Sequence, residues 1–177
     1  QASDWSSDVC SSDLSAISGV AAIAAGAYHL VALKADGTVW AWGRGDYGQL
    51  GDNAATQRNT PLQVMGLTDV TSISAGFFCS LAVKSDGTVW SWGEAAWGQL
   101  GNGGVPGLAT QENAPVQVKG VGGVGILTDI QAVSAGLLHT LALKRDGTAY
   151  AWGYNDSGQL GDGSTDPGIR PLEVRLT

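Results

Sequence analysis

Histidine and cysteine, side chains that could ligate a transition metal, occur only twice each in this 177-residue chain, and three of the four, His29, Cys79 and His139, lie within the repeats. All three occupy one repeated position, the third residue after an Ala-Gly pair (Ala25-Gly26, Ala75-Gly76, Ala135-Gly136). A general base is needed once, beside a nucleophile, whereas a side chain that recurs in every unit serves a buried backbone group. A structural role is therefore expected, and no catalytic residue, metal ligand or cofactor is assigned. Asp36, Asp86 and Asp146 look like a carboxylate set, but each stands in Asp-Gly-Thr, where Asp-Gly suits the positive-φ positions of a type I′ hairpin. Asp162-Gly163-Ser164-Thr165-Asp166 has the oxygen density of a cation loop without its ordered acids and closing glutamate. Gly120 to Gly125 resembles a phosphate loop but lacks the following Lys-Ser/Thr and any helix to bind an anion; it reads as a flexible insert.

Chemistry of recognition is easier to locate. Positions that differ from unit to unit can face a partner, and after each Trp-Gly these are Arg44, Asp46 and Tyr47, then Glu94, Ala96 and Trp97, then Tyr154, Asn155 and Asp156. Arg44, Tyr47, Glu94, Trp97, Tyr154 and Asn155 are the candidate partner contacts, with Tyr47, Trp97 and Arg44 foremost because Tyr, Trp and Arg dominate interface hot spots. The alternative for Tyr47 and Trp97 is packing over the adjacent Gly-Gln-Leu-Gly turn.

These residues are positioned by a repeat. Asp-Gly-Thr at 36, 86 and 146 sets offsets of 50 and 60 residues, and Trp42-Gly43, Trp92-Gly93 and Trp152-Gly153 follow, then Gly48-Gln49-Leu50-Gly51, Gly98-Gln99-Leu100-Gly101 and Gly158-Gln159-Leu160-Gly161. The extra ten residues fall around Asn102 to Asn113 and Val121 to Leu127, so those stretches are expected to be surface loops. Units are expected at about 20–69, 70–129 and 130–177. Each reads as four short strands: Val20 to Ala24, Leu30 to Lys34, Val39 to Trp42, and a looser edge strand, Leu62 to Val64, opened by Pro61. Small residues on the first strand suit convergence near an axis, and the tryptophans would fill the wider gaps between sheets. The expected fold is all-β, four-stranded antiparallel blades of a β-propeller, three of them forming a partial, open propeller. A plain β-sandwich would not explain the repeated loops.

Composition narrows the function classes. Glycine makes up about 15% of the chain, 27 of 177 residues, which disfavours long helices. Nine basic against sixteen acidic residues give a net charge of −7 without a basic cluster, so direct nucleic-acid binding is not expected. No apolar run reaches the roughly 20 residues of a spanning helix, so neither is membrane insertion. Residues 1–19 stand apart: Asp8 to Leu14, Asp-Val-Cys-Ser-Ser-Asp-Leu, reads as a translated sequencing adapter, or otherwise as a disordered leader.

The pattern Ala-Gly-x-x-His-x-Leu-Ala-Leu-Lys-x-Asp-Gly-Thr-x-x-x-Trp-Gly, carried by Ala135 to Gly153 and followed by Gly158-Gln159-Leu160-Gly161-Asp162, resembles the regulator of chromosome condensation repeat. The resemblance runs from Val20 to Thr177. It implies a propeller of seven blades in characterised members, so three units are expected to be an excerpt of a longer protein or an arc that must assemble through its open blade edges. Members of that family bind proteins by one propeller face and share no catalytic residue, which implies a non-enzymatic protein-interaction scaffold with a protein partner. A regulatory guanine-nucleotide exchange factor-like module acting on a small GTPase is the alternative. Ultraviolet photoreception, known in one member, would need tryptophans where this chain has Tyr28, Phe78 and Leu138.

Overall fold

The computed structural model describes residues 17–104 and 111–174. Twelve strands form three four-stranded antiparallel sheets. The first blade contains β1 (Val20–Ala25), β2 (His29–Lys34), β3 (Val39–Gly43) and β4 (Arg58–Gln63). The second contains β5 (Val70–Ala75), β6 (Cys79–Lys84), β7 (Val89–Glu94) and β8 (Gln111–Gln117). The third contains β9 (Ile130–Ala135), β10 (His139–Lys144), β11 (Ala149–Gly153) and β12 (Gly168–Glu173). Strand order within each sheet follows the chain, the meander of a propeller blade. The reading of residues 1–19 as an adapter or leader falls, up to residue 16, outside the described residues, as do Trp5 and Cys10.

Two local expectations are corrected. The fourth strands begin earlier than expected, so Pro61, Pro115 and Pro171 sit inside them rather than at their starts. The strands accept this because each is an edge strand whose pairing skips there: Ala41 faces Leu62 but Gly43 faces Arg58, and an irregular ladder has no use for the missing N–H. The Asp-Gly turns are not type I′, because Gly37, Gly87 and Gly147 have positive φ while their aspartates do not. Gly37 N–H returns to the Lys34 carbonyl at 3.0 Å, giving a turn closed by one left-handed glycine. The aspartate works through its side chain: Asp36 Oδ1 accepts the Thr38 N–H at 3.0 Å and hydroxyl at 2.6 Å, and Asp86 does the same for Thr88.

The core lies between the blades. Val31, Leu33, Val39 and Ala41 of the first blade pack against Ala82 and Trp92 of the second, and Leu81, Val83 and Val89 pack against Ala142 and Trp152 of the third. Alternation along β2 explains both faces: one set faces forward while Leu30 and Ala32 face back. The inner strands are built of small residues because neighbouring backbone crowds them; a Cβ on Gly76 would lie 2.8 Å from the Gly136 carbonyl. The glycine-rich insert folds into a closed loop, with a 3-10 turn at Val121–Gly123, a bridge between Lys119 and Ile126, and Arg170 donating to the Gly122 carbonyl at 3.3 Å.

Candidate partner-binding face

Gly-Gln-Leu-Gly builds the face and locks it to the next blade. Each leucine of the motif, Leu50, Leu100 and Leu160, is fully buried. The glutamine amide holds its own loop: Gln49 Oε1 accepts the Tyr47 N–H at 3.0 Å, Gln99 Oε1 that of Trp97 at 2.8 Å, and Gln159 Oε1 that of Ser157 at 2.9 Å. The same residue's main-chain carbonyl points into the following blade. Gln49 O accepts from Ser80 Oγ and Trp92 Nε1, both at 2.9 Å, and Gln99 O accepts from Thr140 Oγ1 at 3.0 Å and Trp152 Nε1 at 2.9 Å. Tyr47 and Trp97 are thus carried on loops whose buried base is bonded into the next blade, although Gln49 Nε2 itself has no hydrogen-bond partner.

Two aromatic groups result. Tyr47 of the first blade stacks on Phe78 of the second with centroids 4.4 Å apart, and Tyr28 lies parallel to Phe78 at 5.9 Å with Phe77 edge-on. The Arg44 guanidinium covers Tyr28, Tyr47 and Phe78, its carbon 5.2–5.6 Å from the three centroids, while Asp46 Oδ2 receives its Nε at 2.9 Å. Trp97, 41% exposed, stands edge-on to Tyr154 of the third blade at 5.2 Å. Asp156 accepts the Tyr154 hydroxyl at 2.8 Å. Glu94 is half-buried at the end of β7, and its burial raises its pKa.

Of the six candidate contacts, five are at least partly accessible at these junctions. Asn155 is not: it is fully buried, its Nδ2 donates to the Ser164 and Asp166 carbonyls, and its Oδ1 accepts the Leu160 N–H at 2.9 Å. It varies between units because it pins the long loop of the third blade, and it is withdrawn as a partner contact. Phe77 and Leu137, with Tyr28 and Phe78, belong to the face although their roles were not legible; the signal was present, since they fill the variable x-x of Ala-Gly-x-x-His/Cys. Trp97 does meet its own turn through its backbone, but its ring lies against Tyr154 rather than over that turn.

His29 is spent inside the blade junction. Its Nε2 is 2.8 Å from Ser80 Oγ, and because that hydroxyl donates to Gln49 O, Nε2 carries the proton. Burial lowers its pKa to about 4, offset in part by the Cys79 backbone. The buried Cys79 thiol is pushed up to about 12. Among the described residues no group of three His, Cys, Asp or Glu side chains is arranged to hold a metal, and no helix is long and apolar enough to cross a membrane.

Comparison with known proteins places this geometry. Two models described as regulator of chromosome condensation (RCC1) repeat match, one over residues 36–83, 86–143 and 146–175 and the other over 20–49, 70–99 and 130–159. The chain is 34% identical over 153 residues to the human E3 ubiquitin-protein ligase HERC2, covering 86% of this chain and 3% of that protein. It is 30% identical to the ultraviolet-B receptor UVR8 of Arabidopsis thaliana, covering 86% and 34%. Yeast RCC1 (Prp20) bound to Kap60 superposes with a TM-score of 0.78 at 25% identity, covering 92% of this chain and 38% of that one. A Saccharomyces cerevisiae Prp20p structure, described with its binding to Gsp1p and histones, gives 0.75 at 26% identity, covering 92% and 40%. The chain therefore spans well under half the length of each of these relatives.

Proposed function

Because the chain belongs to the regulator of chromosome condensation (RCC1) repeat family, we propose that it is a non-enzymatic interaction module that binds a protein partner through the face carrying Arg44, Tyr47, Glu94, Trp97 and Tyr154. One observation carries this: scaffold residues recur in every blade, whereas the accessible aromatic and charged residues on this face differ from blade to blade and leave Tyr28 56%, Leu137 61% and Trp97 41% exposed. An apolar, aromatic surface with charged neighbours is what interface cores are made of. Gsp1p and histones, the partners named for Prp20p, are the first probes. The expected outcome is binding that the double substitution Tyr47→Ala, Trp97→Ala weakens by about 30-fold or more at unchanged melting temperature. Affinity unchanged by the double substitution rejects this face.

The likeness to Prp20 over 92% of the chain favours one second reading, a module that promotes nucleotide exchange on a small GTPase. Release of labelled GDP from a panel of small GTPases tests it. A rate no faster than in buffer ends that reading.

Self-association has its own support. Leu141 and Leu143 are each 39% exposed, while their counterparts Val31, Leu33, Leu81 and Val83 are buried under the following blade. A second copy offering the back of its first blade, with Ile23 74% exposed, matches that surface. Light scattering is expected to show a concentration-dependent mass that Leu141→Asp lowers; a monomer at all concentrations rejects it.

A further inference from the structure

The two junctions share an exposed aromatic on the loop before Gly-Gln-Leu-Gly but differ in charge and in the rings around it: Leu138 stands for Phe78, Ala96 for Asp46 and Glu94 for Arg44. At the first, the rings of Tyr28, Tyr47 and Phe78 are covered by a cation of the chain itself, Arg44, which Asp46 steadies. At the second, the repeat puts Trp97 in the place of Tyr47, and Tyr154 adds a wall at 79° to it. In the place of Arg44, however, stands Glu94. The corner has one aromatic pair, Trp97 with Tyr154, and a carboxylate at the repeat position where its counterpart has a guanidinium.

That carboxylate is short of partners. Among the described residues Glu94 forms no ion pair, and its side chain has one polar contact, Gln99 Nε2 at 3.4 Å. The Oε1 of the same amide receives the Trp97 N–H, so Gln99 ties the carboxylate and the indole to one loop. A half-buried anion costs free energy unless a cation meets it, and its raised pKa records that cost. The exposed Trp97 indole, on the loop that Gln99 ties to this carboxylate, is the ring type a guanidinium prefers. Asp156 at the rim and the net charge of −7 add negative potential. The first junction holds its own cation between rings and a carboxylate; the second has an indole, a phenol ring and an unpaired carboxylate but no cation among the described residues.

We propose that the corner formed by Glu94, Trp97 and Tyr154 receives one arginine side chain from the protein partner, its guanidinium lying on the indole and paired with the Glu94 carboxylate. This rests on the partner-binding reading of the face and specifies what the partner must present there. Arg44 is the internal template: a planar cation over stacked rings with a carboxylate on its Nε.

The test titrates an acetylated, amidated Gly-Arg-Gly peptide into the isotope-labelled chain at low salt, with the citrulline peptide as its neutral isostere. The expected result is a saturating shift of the Trp97 indole and Tyr154 amide signals with the arginine peptide only. Glu94→Gln, which keeps the shape of the side chain, is expected to weaken that binding about fivefold or more while the rest of the spectrum is unchanged. Arg44→Glu removes the internal cation from the first junction and puts a carboxylate in its place, and is expected to bring new peptide-dependent shifts at Tyr47 and Phe78. No saturating shift at Trp97, equal shifts with citrulline, or an affinity indifferent to Glu94→Gln overturns the proposal. If the peptide fails while Trp97→Ala still abolishes binding of a protein partner, the arginine corner falls and the face stands. If the peptide binds and partner binding ignores Trp97→Ala, the partner-binding reading falls instead.

Discussion

Trp152 of the third blade donates its indole N–H to the main-chain carbonyl of Gln99 in the second at 2.9 Å, and Thr140 adds its hydroxyl to the same oxygen. Trp92 and Ser80 repeat the arrangement on Gln49. A fully buried carbonyl is thus satisfied across the blade boundary, and the tryptophan that fills the gap between sheets also closes it chemically. This ties the Trp-Gly and Gly-Gln-Leu-Gly motifs into one device.

Trp152→Phe keeps most of the ring volume and removes the donor, leaving Gln99 O with Thr140 alone. The expected cost is about 1–3 kcal/mol, measured by urea denaturation. Trp40→Phe is the control, because the Trp40 indole donates only to a nearby Thr38 hydroxyl at 3.3 Å in a partly exposed site, and a loss below about 1 kcal/mol is expected there.

His29 gives the stability a pH dependence of known sign. Its folded pKa of about 4 lies below the 6.5 of the free side chain, so between these values the unfolded chain binds the extra proton. Its contribution is complete above about pH 6.5, falls as the pH drops toward 4, and is on the order of 3 kcal/mol across that window. The protonated ring would face Ser80, Gln49 and the Cys79 backbone with no carboxylate bonded to it. His29→Gln retains a donor and is expected to flatten the dependence over this range; urea midpoints compared near neutrality and near pH 4.5 check it. Asp146, held down to about 2 by hydrogen bonds from Thr148 and Lys144, contributes a separate loss at lower pH.

Gly76→Ala and Gly66→Ala separate close approach from backbone conformation. A Cβ on Gly76 would sit 2.8 Å from both Cys79 Sγ and the Gly136 carbonyl, pushing two blades apart, while one on Gly66 (φ +68°) meets nothing within 4 Å. The first is expected to cost about 2–4 kcal/mol and the second about 1 kcal/mol for its left-handed backbone. Thermal denaturation of the two variants tests the order.

Cys79 is buried and its pKa is about 12, so it holds no thiolate near neutrality. In a Cys10→Ser background the native protein is expected to resist an aromatic disulfide reagent and to react once unfolded. Fast reaction in buffer alone, at a rate independent of denaturant, would contradict the buried placement.

Blade organisation was legible because it is written in short-range order that recurs. Asp-Gly-Thr, Trp-Gly and Gly-Gln-Leu-Gly keep their spacings three times, and a second strand with apolar residues on both faces, Val31 and Leu33 against Leu30 and Ala32, predicts a sheet covered on both sides. Less legible was local backbone detail: Asp36 is followed by a left-handed glycine without being left-handed itself, and Pro61 lies within an edge strand because the ladder is already broken there. Both choices depend on which backbone groups have partners elsewhere.

Partner chemistry was half-legible for the same reason. Variation between units pointed to Arg44, Tyr47, Glu94, Trp97 and Tyr154, but it pointed equally to Asn155, whose side chain is consumed inside its own loop. Variation records only that a position is free of the common scaffold; burial decides whether it faces solvent or solves a local problem. Residue types and intervals along the chain determined the blade, the places of its turns and its number of copies. Pairings between blades, Tyr47 on Phe78, Trp97 on Tyr154 and His29 on Ser80, were decided only when packing brought neighbouring blades into contact, because those energies arise between surfaces that no local stretch of sequence contains.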